Sequence, residues 1–399
     1  MADQDRLAVR LLASFTATPM EPVLSYWWSR LALAPAPTIA PYGQLIQPLL
    51  GLTGQDGPDP FAATVVLLRW EDWLRYLPQR PDPMRAGVVM ERRLAEFADV
   101  LALAAPNLSG PVLILVCPPS ATWAKPDRAG TLAYLNAQLD TIASTLDRLH
   151  VGHVAGLAAR YRPTTTNDQR ADDLAHMPYQ PAFFTALATV VVRAVLALST
   201  RTRRHLLLDP LRSLYPPTAG RPVDLAWRRQ LPILVGQSRR LGLLAVRPGL
   251  GTEPLIESGP ELRLLRHRDA LRCLGGSSDP PNEQPAAAIR RLVDRGAVDP
   301  GDAVLLDANP ALCAEAAAAV PGLATVSLNG DPAQVPDAVD HLWVFDGGHL
   351  LPKGPVRTDG LALPPELLPG PTTTPTDLAE LHRVVQRWRR EHHLAYRAK

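Results

Sequence analysis

Apolar segments alternate with amphipathic ones along the first half of this 399-residue chain. Short, nearly continuous apolar segments, which predict strands, lie at 7–15, 64–69, 111–119 and 153–157. Segments with apolar residues at helical spacing, which predict helices, lie at 20–33, 45–50, 89–105 and 130–149. Continuous apolar strands are typical of parallel sheets that are buried on both faces. The repeated order of strand and helix therefore predicts a doubly wound α/β domain.

A second pattern of the same kind follows a charged boundary at 201–204. It predicts strands at 205–209, 243–246, 303–307 and 323–328, and helices at 223–241, 285–296 and 310–319. We therefore expect two doubly wound parallel-sheet domains, at 1–201 and 202–346. A Pro/Gly-rich linker or wrap is expected at 347–375, followed by a basic amphipathic C-terminal helix at 376–399. That helix is expected to pack on the body; docking of a partner is the alternative.

Composition narrows the class of protein. The chain is 46% hydrophobic, which suffices for sizeable cores, and its formal net charge of +2 predicts no nucleic-acid partner. The cysteines lie far apart at Cys117, Cys273 and Cys313, which suits a reducing compartment. Its first residues are polar and predict no signal peptide, and the apolar run at 186–199 contains Arg193 and is too short to span a bilayer. We expect a cytoplasmic protein without a membrane partner.

An acid–histidine pair is the first candidate for catalysis. Asp173 lies three residues before His176, and a carboxylate can hold an imidazole in the tautomer that a hydrolase or acyltransferase base needs. The same spacing is equally compatible with a helix N-cap followed by a packed histidine. Histidines elsewhere lack metal-ligand spacing, so no metal site is predicted.

Other candidates lie where predicted strands end, because ligands bind at the carboxyl ends of parallel strands. These residues are Ser14, Thr16, Gly43, Arg69, Glu71 and Cys117. Arg69, Glu71 and Asp72 could form either an ion-pair cluster or a substrate clamp. Cys117 could carry a transient thioester, or it could be a small buried apolar residue.

Five blocks in the first domain resemble the amino-terminal domain of FkbH-like proteins from polyketide and nonribosomal peptide pathways. They are Leu12-Ala-Ser-Phe-Thr-Ala-Thr-Pro-Met-Glu-Pro-Val-Leu24, Ala40-Pro-Tyr-Gly-Gln44, Val66-Leu-Leu-Arg-Trp-Glu-Asp-Trp-Leu74, Cys117-Pro-Pro-Ser120 and His176-Met-Pro-Tyr-Gln-Pro-Ala-Phe-Phe184. The resemblance implies a relative of the SGNH-hydrolase fold, with Ser14 or Thr16 at the nucleophile position and Asp173/His176 as the late pair. Gly43 would supply a backbone N–H. The chain departs from the hydrolase pattern because it lacks Gly-Asp-Ser and a clean Gly-x-Asn-Asp.

The second domain resembles the haloacid-dehalogenase-type phosphatase module of the same family. The matching blocks are Leu207-Leu-Asp-Pro-Leu-Arg-Ser-Leu-Tyr215, Leu243-Leu-Ala-Val-Arg-Pro-Gly249 and Leu305-Leu-Asp-Ala-Asn-Pro310. By this resemblance Asp209, Ser213, Asp307 and Asn309 would be remnants of the phosphatase site. Leu211 replaces the acid/base carboxylate, Ala308 replaces a metal-side aspartate, and no lysine occurs between Lys125 and Lys353. We therefore expect an inactive pseudo-phosphatase that has lost its Mg²⁺ site and uses no cofactor.

The leading hypothesis is transfer of an acyl group, of glyceryl type, to or from an acyl or peptidyl carrier protein of a polyketide or nonribosomal peptide synthase. His176 would be the base, Asp173 its orienting group, and Ser14, Thr16 or Cys117 the nucleophile or acceptor. Substrate would contact the candidates Gly43, Gln44, Arg69 and Glu71. The alternative is a non-catalytic scaffold that binds a carrier protein or synthase. A third hypothesis is residual phosphatase or glyceryl-transferase activity.

Overall fold

A computed structural model describes most of the first half of the chain and parts of the second. The described residues are 8–31, 33, 35–54, 59–77, 82–154, 161, 165–199, 205–208, 242–246, 271–274, 285–296, 298–307, 309–327, 343 and 378–397. Contacts divide them into two units. The first unit contains the described residues up to Ser199 and the C-terminal helix, and the second contains those from His205 to Trp343.

The first unit is built on a five-stranded sheet in which all neighbouring strands run parallel, in the order β2-β1-β3-β4-β5. The strands are β1 (Val9–Ala13), β2 (Thr38–Ile39), β3 (Ala63–Leu68), β4 (Val112–Val116) and β5 (Leu149–His153). Every residue of β1, β3 and β4 is buried, which explains why these segments are almost entirely apolar. The polar exceptions, Arg10 and Thr64, bond each other at 2.9 Å. The chain changes direction along the sheet between β1 and β3, which places a topological switch point there.

Six α-helices of the first unit have described bounds before residue 200. They are α1 (Glu21–Arg30), α2 (Gln47–Leu50), α3 (Pro83–Ala104), α4 (Pro126–Thr145), α5 (Gln169–Ala175) and α6 (Pro181–Ser199). Helices α3 and α4 pack on the sheet face that carries Leu12, Val66 and Ile114. The alternate strand residues Leu11 and Val65 are equally buried, so the opposite face is covered as well.

Helix α6 lies in the core of the first unit. Its segment Pro181–Leu198 is long and apolar enough to cross a membrane by length and composition, and 89% of that segment is buried inside the protein. The helix is therefore longer than the apolar run at 186–199 that the sequence suggested. The C-terminal helix packs on α6 and α1: Thr185 contacts His382 Nδ1 at 2.7 Å, and the Tyr26 and Trp388 rings meet edge to face.

The second unit is a second parallel sheet of five strands. Its strands are β6 (His205–Leu208), β7 (Gly242–Val246), β8 (Leu271–Leu274), β9 (Ala303–Asp307) and β10 (Ala324–Ser327), in the order β10-β9-β6-β7-β8. Helices α7 (Pro285–Asp294) and α8 (Pro310–Ala319) enclose a core with Leu207 and Leu305, and α9 is the C-terminal helix Leu378–Arg397. The predicted helix 223–241 and the predicted linker 347–375 lie outside the described residues.

Several element boundaries differ from those predicted. Helix α3 begins at Pro83 rather than residue 89, because Asp82 caps it by accepting from the Met84 and Arg85 N–H groups. The exposed apolar side chains of its first turns obscure the amphipathic pattern there. Strand β5 ends at His153, where the prediction had a strand begin. Strands β2 and β8 were not predicted; each is too short for its apolar residues to form a pattern.

Candidate functional site

The loop after β1 and the segment after β3 meet at the carboxyl edge of the first sheet. Ser14 follows β1, and its N–H donates to the Leu67 carbonyl oxygen at 3.0 Å. Its Oγ accepts from the Arg69 N–H at 2.9 Å and donates to Asp72 Oδ2 at 2.8 Å. Asp72 lies in the 3-10 helix Trp70–Leu74 that follows β3. Ser14 therefore lies at the switch point, where open α/β sheets bind ligands.

Two arginines and two aspartates form a buried ion-pair cluster beside Ser14. Arg69 is 1% exposed and bonds both Asp72 and Asp172, with Arg69 Nε 3.0 Å from Asp72 Oδ1. Arg75 NH2 donates to Asp72 Oδ1 at 2.9 Å and to Asp172 Oδ1 at 2.5 Å. Burial alone would lower the pKa values of both arginines, but the Asp72 carboxylate raises them, so both guanidinium groups stay charged. Arg69 and Asp72 thus form an ion pair, and their role as a substrate clamp stays a prediction.

His176 ends α5 in a left-handed backbone conformation, with φ of +58°. Its carbonyl oxygen accepts from the Thr16 N–H at 2.8 Å, and Thr16 Oγ1 donates to the Ala175 carbonyl oxygen at 2.8 Å. The imidazole stacks on the Tyr42 ring with centroids 4.4 Å apart. His176 Nδ1 is buried and has no hydrogen-bond partner among the described residues. The backbone thus brings His176 to the β1 loop, while its ring is held by an aromatic neighbour.

The predicted orienting bond between Asp173 and His176 is not formed. Asp173 is exposed and accepts from Gln169 Nε2 at 2.8 Å within α5. The His176 ring stacks on Tyr42 instead. Asp172 is the α5 carboxylate that the fold buries, where it bonds the two arginines.

Cys117 has the environment of a buried apolar residue. Its side chain is buried, its N–H donates to the Leu68 carbonyl oxygen at 2.7 Å, and its Sγ donates to the Leu115 carbonyl oxygen at 3.5 Å. Burial raises the pKa of the thiol, which disfavours the thiolate that a nucleophile requires. This geometry fits the alternative in which Cys117 is a packed core residue.

A pocket of about 380 Å³ opens beside the ion-pair cluster. Three arginines and four acids line it, namely Arg69, Arg75, Arg128, Glu71, Asp72, Asp172 and Asp173, together with residues that include Ser120 and Trp123. Glu71 Oε1 accepts from the Ser120 N–H at 2.6 Å, and burial raises the pKa of the Glu71 carboxyl. The Arg128 guanidinium lies 5.0 Å from the centre of the Trp123 ring.

The other predicted substrate contacts, Gly43 and Gln44, lie in an exposed turn after β2. Gly43 has φ of +78°, a conformation that suits glycine, and the Gln44 N–H donates to the Pro41 carbonyl oxygen at 3.3 Å. The residues that line the pocket include Arg69 and Glu71 but not Gly43 or Gln44.

Four residues of this edge were not singled out from the sequence: Tyr42, Arg75, Tyr76 and Asp172. The Tyr76 hydroxyl donates to the Tyr42 hydroxyl at 2.8 Å, and both rings contact His176. In the sequence, Asp172 could have been identified only from its place on the same helical face as Ala175 and His176. It directly precedes Asp173, the aspartate that was predicted.

In the second unit, two of the four predicted phosphatase remnants are described. Asp307 ends β9, is buried, and accepts from the Asn309 N–H at 2.7 Å. Asn309 Oδ1 accepts from the Ala311 N–H and so caps α8. Asp209 and Ser213 lie outside the described residues. In the described part of the chain, which does not include Asp209, no group of three His, Cys, Asp or Glu residues could hold a metal ion. The loss of the Mg²⁺ site stays a prediction.

No protein-family model and no curated protein matches the chain. Among solved structures, it is similar to the N-terminal part of the protein BF1531 from Bacteroides fragilis, which contains a phosphatase domain and is complexed with Mg. The match has a TM-score of 0.57 and 16% identity, and it covers 82% of this chain and 91% of that chain. At this identity the likeness shows the fold alone. The chain is thus an α/β protein of parallel sheets, with a fold similar to that of the N-terminal part of BF1531.

Proposed function

We propose that the first unit binds the acyl or peptidyl arm of a carrier protein at the carboxyl edge of its sheet, without cleaving the thioester. The observation that carries this proposal is a pocket at this edge, lined by residues that follow β3 and β4 and by residues of α5. The candidate catalytic groups near it are engaged in other contacts. The Ser14 hydroxyl donates to Asp72, a carboxylate that two guanidinium groups already hold. The His176 ring is stacked on Tyr42. The predicted pair of Ser14 as nucleophile and His176 as base is therefore not formed.

The nature of the ligand rests on the FkbH-like sequence blocks. They suggest a cytoplasmic partner of a polyketide or nonribosomal peptide synthase. The strand order β2-β1-β3-β4-β5 supports an SGNH-hydrolase-related first unit, and the replacements Leu211 and Ala308 support a pseudo-phosphatase without a metal cofactor in the second.

Acyl transfer through Ser14 is the second candidate. It is favoured by one observation: Ser14 Oγ lies between a backbone N–H donor and a carboxylate acceptor, at 2.9 and 2.8 Å. In such a reaction Asp72 would replace His176 as the base, since Asp72 is the group that the hydroxyl contacts.

Incubation of the full chain with acyl-loaded carrier protein separates these functions. We expect binding by calorimetry without acyl transfer in the intact masses, and binding that changes less than about threefold in Ser14→Ala and His176→Ala. Arg128→Ala should weaken binding by roughly tenfold, about 1.4 kcal/mol. Arg85→Ala, at an exposed arginine of α3, is the matched control and should have no effect.

Two outcomes would count against the proposal. A mass shift in the wild type that disappears in Ser14→Ala would establish acyl transfer instead. Failure of the loaded carrier to bind, at concentrations up to about 1 mM, would exclude both functions, because weaker affinity is below that of specific recognition.

A further inference from the structure

Glu71 presents an unusual carboxyl group to the pocket. Its side chain is 9% exposed, and Oε1 accepts from the Ser120 N–H at 2.6 Å. Oε2 is buried and has no hydrogen-bond partner in the described part of the chain. Buried polar atoms in folded proteins almost always have a partner, and an orphaned one costs free energy that an added donor would recover. Glu71 Oε2 is thus a vacant acceptor beside a pocket.

The neighbouring cation cannot fill this vacancy. Arg69 NH1 lies 4.0 Å from Glu71 Oε1, beyond hydrogen-bonding distance. The N–H groups of Arg69 are directed at Asp72 and Asp172 instead. Because Arg75 is also bonded to both aspartates, neither arginine is free to turn to Glu71. The described part of the chain therefore leaves this acceptor for a donor from outside the cluster, as a ligand in the pocket would provide.

The charges around the pocket indicate what kind of ligand. Three arginines face four acids, so with all of them ionised the lining carries one excess negative charge. An anionic ligand such as a phosphate ester would add to that excess, whereas a ligand with one positive charge would neutralise it. Burial raises the pKa of Glu71, and a bound cation would oppose that shift by stabilising the carboxylate.

We propose that the pocket recognises the protonated amine of an aminoacyl group, whose ammonium donates a hydrogen bond to Glu71 Oε2. Arg128, which lines the same pocket, supplies the donor for the acyl carbonyl oxygen. This inference deepens the proposed function: the acyl chain on the carrier arm is an amino acid rather than a glyceryl group. The carrier itself remains part of the earlier proposal, and the amine site is a separate property of this pocket.

Small amides test the amine site without any carrier protein. Alaninamide, lactamide and propionamide have similar size, but at the α-carbon they carry an ammonium, a hydroxyl or only a methylene hydrogen. At neutral pH we expect alaninamide to bind the full chain at least tenfold more tightly than propionamide, with lactamide between them, in a thermal-shift titration. Equal shifts for alaninamide and propionamide in the wild type overturn the inference, whatever any variant does.

The variant Glu71→Gln tests whether the preference for alaninamide over propionamide arises at Glu71. The amide keeps an acceptor for the Ser120 N–H but removes the charge, so the preference for alaninamide over propionamide should fall to within about twofold. Glu91→Gln, an exposed glutamate of α3 that accepts from the Tyr134 hydroxyl, is the matched control and should keep the full preference. A preference that survives intact in Glu71→Gln places the amine elsewhere and refutes the assignment.

Loaded carrier proteins then distinguish the two proposals. Arms that bear alanyl or propionyl groups through a stable amide should bind with the same tenfold difference. If neither carrier binds while alaninamide retains its advantage, the carrier proposal fails and the amine site stands. If both carriers bind equally and the free amides do too, the amine site fails and the carrier proposal stands.

Discussion

At the scale of single residues, the carboxyl edge of the first sheet contains groups whose surroundings conflict with their ordinary chemistry. Glu71 is a carboxyl group that burial drives towards its neutral form, and Cys117 is a thiol that burial keeps protonated. His176 holds a backbone conformation that non-glycine residues rarely adopt. Such conflicts lower stability and are typical of functional sites.

The raised pKa of Glu71 has a defined effect on stability. Between its unfolded value and the higher folded value, the folded state binds more protons, so the free energy of unfolding must fall as the pH rises through that window. In Glu71→Gln the free energy of unfolding should no longer fall with rising pH in that window. Urea unfolding at a series of pH values from 4.5 to 8, followed by tryptophan fluorescence, measures the free energy of unfolding at each pH. Glu91→Gln should keep the wild-type slope, and an unchanged slope in Glu71→Gln would contradict the assignment.

The backbone of His176 gives a second prediction. A residue with a β-carbon in the left-handed region costs about 1 kcal/mol, which glycine avoids. His176→Gly should therefore be about 1 kcal/mol more stable than His176→Ala in urea unfolding, although both lose the stacking on Tyr42. At Asp173, inside α5 and exposed, the order should reverse, with alanine more stable than glycine. The same order at both positions would show that the cap conformation is not responsible.

At the scale of elements, tight packing occurs where β4 begins beside β3. A β-carbon added to Gly110 would lie 1.7 Å from the Ala62 carbonyl oxygen, a backbone atom that cannot move aside alone. Gly130, in α4, has open space around its α-carbon. Substitution of these two glycines by alanine therefore tests the same change in opposite environments.

Gly110→Ala should destabilise the protein by about 3 kcal/mol, at the upper end of what overpacking costs, because the sheet must shift to relieve the clash. Gly130→Ala should stabilise it by roughly 0.5–1 kcal/mol, because alanine favours a helix interior. Thermal unfolding of both variants and the wild type measures these changes as shifts of the melting temperature. Comparable melting temperatures for both would mean that Ala62 and Gly110 are further apart than described.

The sequence predicted the elements better than the contacts at their ends. Apolar runs placed β1, β3 and β4 because buried strands need apolar residues at every position. The same topology brings Ser14 and Arg69 to one edge, as expected for parallel strands. The sequence does not show which of Asp172 and Asp173 faces the site. The two side chains point about 100° apart around α5, and only tertiary packing sets the rotation of that helix about its axis. The contact of His176 with Tyr42 likewise depends on the left-handed conformation of His176, which the neighbouring residues do not predict.

At the scale of the whole molecule, two parallel-sheet units share one chain and differ in how much candidate chemistry they retain. The second unit is a parallel five-stranded sheet. By the sequence resemblance, Leu211 and Ala308 would lie where phosphatase chemistry needs carboxylates. Loss of general acid catalysis alone removes roughly 10²–10⁴ in rate.

We therefore expect no Mg²⁺-dependent phosphatase activity from the full chain. Release of phosphate from p-nitrophenyl phosphate should equal that of Asp209→Asn and of a protein-free blank, with and without 5 to ~10 mM Mg²⁺. A Mg²⁺-dependent rate that Asp209→Asn abolishes would restore the phosphatase hypothesis.

The ion-pair cluster also constrains how the first unit can be made. Arg69 and Asp172 are 103 residues apart, and Arg75 and Asp172 are 97 apart. Chains emerge from the ribosome N-terminal end first, at about 5–20 residues per second, so Arg69 exists for several seconds before its second partner is synthesised. Strands β1, β3 and β4 can pair during that interval, but α5 must dock before the cluster closes. Assembly of this edge is thus a late folding event that awaits the last third of the unit.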